Sequence, residues 1–79
     1  MAAKQNLIGP QVRALRVAQK LTQGELAARL GALGWDVSEN TITKIETRIR
    51  CVTDDELVKI ARALRTKLRV LLPGHDRLF

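Results

Sequence analysis

Residues 21–46 read LTQGELAARLGALGWDVSENTITKIE and contain two helix-start signals on either side of a glycine-containing turn. Thr22 and Glu25 have the spacing of a capping box, in which each side chain bonds the other residue's backbone amide. Ser38 is a favourable N-cap residue ahead of the second run. The turn contains two glycines that favour helix termination, Gly31 and Gly34. These residues predict two short helices joined by a turn.

Similar signals on both sides of this stretch predict further helices. Gly9-Pro10 predicts the start of the first helix, because Gly is acceptable at the N-cap and Pro is favoured at the first helical position. This helix is expected to extend to Lys20. Thr53 and Glu56 repeat the capping box before a fourth helix.

A weaker fifth helix is expected over about residues 67–72, where Pro73 then stops it. The chain has no alternating apolar pattern of the kind that indicates strands. We therefore predict one all-α domain for the 79 residues, built of five helices. Its helical core covers about residues 8–72, with a short tail at each end.

The charge balance indicates the kind of partner. The chain has 14 Lys and Arg residues against 8 Asp and Glu, a formal net charge of +6, which on a small domain points to a polyanion. No apolar stretch is long enough to span a bilayer, and the first residues lack the apolar run of a secretion signal. A single cysteine, Cys51, cannot form an internal disulfide. We expect a cytoplasmic protein with no membrane partner.

The second helix of the central pair, expected over about residues 39–47, has two opposed faces. Three isoleucines share its apolar face: Ile42, Ile45 and Ile49. The opposite face is polar, and Glu39 lies at its N-terminal edge; its other members are Asn40, Thr43, Lys44 and Thr47. In a major groove an Asn can bond adenine, a Lys can bond guanine and a Thr can contact a thymine methyl group. The alternative is a polar face that is only solvated.

The order of these elements resembles a known family. The matching runs are Leu15-Arg16, Leu21-Thr22-Gln23, Glu25-Leu26-Ala27, Leu30-Gly31, Val37-Ser38, Thr41-Ile42, Lys44-Ile45-Glu46, Glu56-Leu57, Ile60-Ala61 and Ala63-Leu64. Together they resemble the phage-repressor and Cro type of helix-turn-helix family, also called the XRE family. The resemblance implies a compact lambda-repressor-like domain of prokaryotic or phage type. Its helix over about residues 39–47 would enter the major groove of duplex DNA.

The resemblance also implies roles for individual residues. The base-contacting positions of the family match Glu39, Asn40, Thr43 and Lys44, although Glu39 is equally explained as an acid favoured by the helix dipole. Phosphate contact is expected from Gln23, Thr47, Arg48 and Arg50, the alternative for Gln23 being an exposed side chain without a partner. Arg16 and Glu46 match the family's structural ion pair.

The sequence departs from the family pattern in two respects. Residues 32–36 are an insertion that lengthens the turn, and its Trp35 is expected to cover the edge of the core, or else to contact DNA or a partner subunit. Arg48 and Arg65 stand where the family often has Gly, a residue that adopts positive φ without strain. Both arginines add charge beside a surface expected to face phosphates.

The functional reading is a sequence-specific transcriptional regulator. One alternative is an antitoxin-like module that binds another protein and also binds its own operator. A second alternative is a nonspecific basic chromatin-type DNA-binding protein. The sequence offers no Ser-His-Asp set, phosphate-binding glycine loop or metal-ligand cluster, so we expect no enzyme, no cofactor, no metal and no small-molecule ligand.

A two-fold dimer is also expected, since one short helix reads too few base pairs to select a site. The C-terminal segment supplies an apolar surface for it: Leu68, Leu71, Leu72, Leu78 and Phe79. The alternative is that Leu68 and Leu71 are internal. A homodimer predicts a near-palindromic operator.

Overall fold

A computed structural model of the chain describes residues 5–72, which form four α-helices and a 3-10 helix with no strand among them. The helices are α1 Gly9–Ala18, α2 Gln23–Ala32, α3 Glu39–Glu46 and α4 Asp54–Ala63, and the 3-10 helix is Leu68–Leu71. The prediction of an all-α domain is confirmed over this range. The predicted count of five α-helices is not confirmed. Lys67 and Leu72 are both extended, and the four residues between them suit a tighter turn closed by i→i+3 bonds.

The predicted N-terminal caps of α2, α3 and α4 are confirmed. The amide of Glu25 donates to Oγ1 of Thr22 at 3.0 Å, and the amide of Thr22 donates to Oε1 of Glu25 at 2.9 Å. The same reciprocal pair joins Thr53 and Glu56 at 3.2 and 3.0 Å. The hydroxyl of Ser38 accepts from the amide of Thr41 at the start of α3. Each cap satisfies amides that the first turn of a helix leaves without partners.

The start of α1 differs from the prediction. Gly9 is not the cap but already the first helical residue, and the Ile8 side chain ahead of it makes no cap bond. Instead, Oδ1 of Asn6 accepts from the amides of Ile8 and Gly9 at 3.1 and 2.8 Å. Gly9 is needed for another reason: a Cβ there would collide with the carbonyl oxygen of Ile45. The absence of a side chain at Gly9 therefore lets α1 approach the end of α3.

All four α-helices end in the same backbone motif. The residue after each C-cap has positive φ, and the two amides that follow the cap bond back to carbonyls of the last turn, as in a Schellman motif. These residues and their φ angles are Lys20 (58°), Gly34 (91°), Arg48 (65°) and Arg65 (54°). The expected positive φ at Arg48 and Arg65 is thus observed. Gly31 does not stop α2 as predicted, because it lies within the helix and Gly34 occupies the terminating position.

One hydrophobic core joins the helices. α3 packs against α1 and α2, while α4 packs against α2 and the 3-10 helix. The largest fully buried side chains come from every one of these elements: Leu26, Leu30, Ile42, Ile45, Ile60, Leu64, Leu71 and Val12. Trp35 is partly buried against this core, as predicted for a residue that covers its edge.

Two apolar side chains have other positions than predicted. Ile49 is 65% exposed and not part of the apolar face of α3, because the helix ends at Glu46 and the chain turns at Arg48. Leu71 is fully buried in the core. It therefore cannot contribute to a dimer surface on this folded domain.

Candidate nucleic-acid interface

The helix α3 presents a continuous polar surface. Glu39, Asn40, Thr43, Lys44 and Thr47 are all exposed, whereas Ile42 and Ile45 on the opposite side are each 1% exposed. Since residues three and four apart share a helix face, the exposed side chains from Asn40 to Thr47 form one stripe. We call this stripe, with Glu39 at its edge, the reading face.

A buried ion pair fixes the side of α3 beneath the reading face. Nε of Arg16 donates to Oε2 of Glu46 at 2.6 Å and Nη2 donates to Oε1 at 3.2 Å. Nη1 of the same guanidinium donates to the carbonyl of Leu21 at 2.7 Å. Glu46 is 6% exposed, and its hydrogen bond raises the pKa of Arg16. The predicted pair is therefore observed, and Arg16 joins α1 both to α3 and to the turn before α2.

Gln23 connects this ion pair to the reading face. Its Nε2 donates to Oε1 of Glu46 at 3.2 Å, and its Oε1 accepts from Oγ1 of Thr43 at 3.0 Å. The alternative of an exposed Gln without a partner is therefore wrong. A carboxamide nitrogen carries two N–H groups, so one remains for a phosphate at the N-terminus of α2, where the helix dipole also favours an anion.

Glu39 lies across the first turn of α2. A Cβ at Gly24 would meet Oε1 of Glu39 at 2.5 Å, so the lack of a side chain at Gly24 allows the carboxylate to sit there. An anion is stabilised near a helix N-terminus, and here that helix is α2 as well as α3 itself. Glu39 remains exposed, so its carboxylate is also accessible to a base edge.

The residues predicted to contact phosphates have different surroundings. The hydroxyl of Thr47 donates to the carbonyl of Thr43 at 2.7 Å, which uses its proton. Nε of Arg48 donates to the carbonyl of Asn6 at 2.8 Å. This bond leaves both terminal nitrogens of the guanidinium available to donate to another group. Arg48 is therefore the better placed of the two to bind a phosphate.

Arg50 is engaged within the protein. Its Nη1 and Nη2 donate to the two carboxylate oxygens of Glu56 at 2.9 and 3.0 Å, and its guanidinium lies over the ring of Trp35, 5.6 Å from the centroid. These hydrogen bonds hold the pKa of Glu56 below its ordinary value of 4.5. This paired and stacked guanidinium links the inserted turn to α4, and the phosphate contact expected of Arg50 stays a prediction.

Sequence reasoning missed two features of this region. The stacking of Arg50 on Trp35 joins residues from separate loops, which no local pattern identifies. The contacts of Asn6 were detectable in part, because Asn is a preferred capping residue and stands three positions before Gly9-Pro10.

Arg65 does not lie beside the surface expected to face phosphates. It lies at the C-terminal ends of α2 and α4, where it lines a surface pocket with Arg29 and Arg62. Gln23, the predicted phosphate contact of α2, lies at the opposite end of that helix.

The residues predicted to form a dimer differ in their placement. Leu68 is 43% exposed and Leu71 is buried. Leu72 is partly buried and lines an apolar pocket of about 240 Å³. Leu78 and Phe79 lie outside the described residues. Of the five residues predicted for the dimer surface, only Leu68 and part of Leu72 thus provide apolar surface within residues 5–72.

No three His, Cys, Asp or Glu side chains within residues 5–72 are grouped so as to hold a metal ion. None of the helices described here has the length and apolar character to cross a membrane.

A comparison with protein families agrees with this geometry. The model of the family HTH_3, described as helix-turn-helix, matches residues 12–71. No curated protein and no solved structure matches the chain. The matched region covers more than half of the chain and includes α2, α3 and the ion pair beneath them. The chain therefore belongs to the helix-turn-helix family of DNA-binding domains of the repressor and Cro type.

Proposed function

We propose that this protein is a sequence-specific transcriptional regulator that inserts α3 into the major groove of duplex DNA. The observation that carries the proposal is the reading face: an exposed polar stripe on a helix whose opposite side is anchored by Arg16 and Glu46. The second helix of a helix-turn-helix unit lies in the major groove in this class of domain. Such a regulator acts inside the cell, where DNA is found.

The side chains of the reading face have complementary recognition chemistry. Asn40 can bond N6 and N7 of adenine, and Lys44 can reach O6 and N7 of guanine. The hydroxyl of Thr43 is bonded to Gln23, so its methyl group is the part that meets a thymine. Glu39 accepts from a cytosine amine and rejects bases that present an acceptor, since two acceptors repel each other.

Phosphate contacts would fix the position of α3 in the groove. We assign them to Gln23 at the start of α2 and to Arg48 after α3, on the two sides of the reading face. Thr47 is assigned a weaker part, as an acceptor from water that bridges to a phosphate. The net charge of +6 supports binding by counterion release.

We further propose that the protein binds as a homodimer on a near-palindromic site. One reading face of five side chains covers only a few base pairs, which is too little to distinguish an operator from competing sequences. Two-fold dimers place two such helices about one helical turn apart. The exposed Leu68, next to the partly buried Leu72, supplies apolar surface for the contact.

Selection of bound sequences from a random duplex pool tests the function, and sedimentation of the complex with the selected duplex tests the dimer. We expect one enriched motif with inverted symmetry and two protomers per duplex. A pool without an enriched motif would overturn the proposal of specific recognition. An enriched motif without inverted symmetry, bound by one protomer at saturation, would overturn only the dimer.

A further inference from the structure

The segment from Gln5 to Gly9 lies along the C-terminal end of α3. At its centre, Nδ2 of Asn6 donates to the carbonyl of Ile45 at 3.1 Å and to the carbonyl of Arg50 at 2.8 Å. Its Oδ1 accepts from the amides of Ile8 and Gly9. Both N–H groups and both lone pairs of the carboxamide are therefore used. Asn6 caps α1 and holds the end of α3 at the same time.

The backbone around Asn6 reinforces this attachment. Nε of Arg48 donates to the carbonyl of Asn6 at 2.8 Å, and the amide of Gln5 donates to the carbonyl of Arg48 at 3.1 Å. A Cβ at Gly9 would lie 2.8 Å from the carbonyl oxygen of Glu46. Because these contacts run in both directions, the end of α3 cannot shift without breaking bonds to the segment before α1.

The helix α3 depends on such attachments for its direction. It has eight residues, and helices of this length are not stable alone in water. The ion pair of Arg16 with Glu46 holds its buried side, and Gln23 holds Thr43. Asn6 binds one carbonyl of the last turn, that of Ile45, which also accepts from the amide of Arg48, and one carbonyl beyond the helix, that of Arg50.

We infer that Asn6 is a positioning residue for DNA recognition: by binding the carbonyls of Ile45 and Arg50, it sets the orientation of α3 in the groove. The inference rests on the proposed function. A small error in the position of a recognition group weakens contacts that require a fixed geometry. Contacts with phosphates tolerate such an error better, because they depend mainly on charge.

The test uses the full chain with three variants. Asn6→Ala removes both roles of the side chain. Asn6→Ser keeps an oxygen that caps α1, but it is too short to reach both carbonyls. Gln19→Ala is the matched control: it removes a side-chain bond to the carbonyl of Leu64, 2.6 Å long, that joins the end of α1 to the end of α4 and does not touch α3.

The first readout is the ratio of affinities for the selected site and for an unrelated duplex, measured where every variant is fully folded. We expect Asn6→Ala and Asn6→Ser to lower this ratio by about tenfold, and Gln19→Ala to leave it unchanged. Equal ratios for all variants, or a wild-type ratio for Asn6→Ser, would overturn the inference.

The second readout requires no DNA and separates the inference from the proposed function. Amide exchange of Ile49 and Arg50, which both donate to the carbonyl of Lys44, should accelerate in Asn6→Ser relative to amides of α4 and not in Gln19→Ala. If the wild type shows no preferred duplex, the proposed function fails, and exchange still decides whether Asn6 holds the end of α3. Unchanged exchange at both amides would overturn the inference.

Discussion

Nε of Arg16 lies 2.6 Å from Oε2 of Glu46, and this contact joins the last turn of α1 to the last residue of α3. The Glu46 side chain is 2% exposed and the Arg16 side chain 12% exposed. Burial of a charge is costly unless it is paired and hydrogen-bonded. Here Arg16 and Gln23 supply that pairing. The same contacts therefore orient α3 and neutralise a buried carboxylate.

Loss of Arg16 should therefore destabilise the protein strongly. In Arg16→Met the carboxylate of Glu46 remains buried with only Gln23 as a partner, and we expect a cost of about 3–5 kcal/mol. The free energy of unfolding from urea titration measures it. The double variant Arg16→Met with Glu46→Leu is the control and should cost less than Arg16→Met alone, because no unpaired charge remains. A loss of under about 1 kcal/mol in Arg16→Met would show that the pair carries little of the fold.

The positive φ at Arg65 predicts a stabilising substitution. A left-handed backbone conformation is unfavourable for a residue with a Cβ, whereas Gly adopts it without a steric cost. We expect Arg65→Gly to raise the free energy of unfolding by about 0.5–1 kcal/mol, after allowance for the greater entropy of Gly in the unfolded chain. Arg65→Ala has the same backbone cost as the wild type and should not stabilise. Equal stability of the Gly and Ala variants would contradict the backbone explanation.

The two arginines with positive φ allow a matched test of phosphate binding. Arg48→Gly and Arg65→Gly remove the same charge at the same backbone geometry, one after α3 and the other after α4. We expect only Arg48→Gly to reduce the slope of log K against log salt, by about 0.9 for one phosphate contact. Binding titrations at several salt concentrations measure the slope. Equal slopes for the two variants would show that Arg48 contacts no phosphate.

The pair of Arg50 with Glu56 predicts a pH dependence of stability. The pKa of Glu56 is lowered first by its hydrogen bonds from Arg50, so the folded state favours the ionised form. This contribution is complete above the ordinary value of 4.5 and is lost as the pH falls through the lower pKa of the folded protein.

Glu56→Gln tests this directly. A Gln still completes a capping box, so the variant removes the ion pair and keeps the cap. Because both side chains are partly exposed, we expect the variant to lose about 1 kcal/mol of unfolding free energy at neutral pH. We also expect its stability to decrease less than that of the wild type during acid titration. Parallel titration curves for wild type and variant would contradict the assignment.

Much of the fold follows from local signals in the sequence. The capping boxes of Thr22 and Thr53 and the N-cap at Ser38 act within one helical turn, and they locate three helix starts correctly. The alternation of buried Ile42 and Ile45 with exposed Asn40 and Lys44 likewise depends only on the helical period.

The parts that could not be predicted depend on contacts between distant segments. Ile49 continues the apolar spacing of α3, but the turn at Arg48 carries it into solvent. The sequence pattern identifies no partner for Arg50, yet in the folded chain its guanidinium pairs with Glu56 and lies over the ring of Trp35. Asn6 reaches carbonyls about forty residues further along the chain, and no periodicity encodes such a bond.

The central claim is that Asn40 and Lys44 read bases, and its most direct test pairs protein variants with base changes. Affinities are measured for wild type, Asn40→Ala and Lys44→Ala on the selected site and on each of its single base-pair substitutions. We predict that each variant loses about 1–3 kcal/mol on the selected site and loses discrimination at one base pair, a different one for each residue. If both variants lower affinity for all duplexes equally, or keep the wild-type preference at every position, α3 does not read the sequence through these side chains and the account is contradicted.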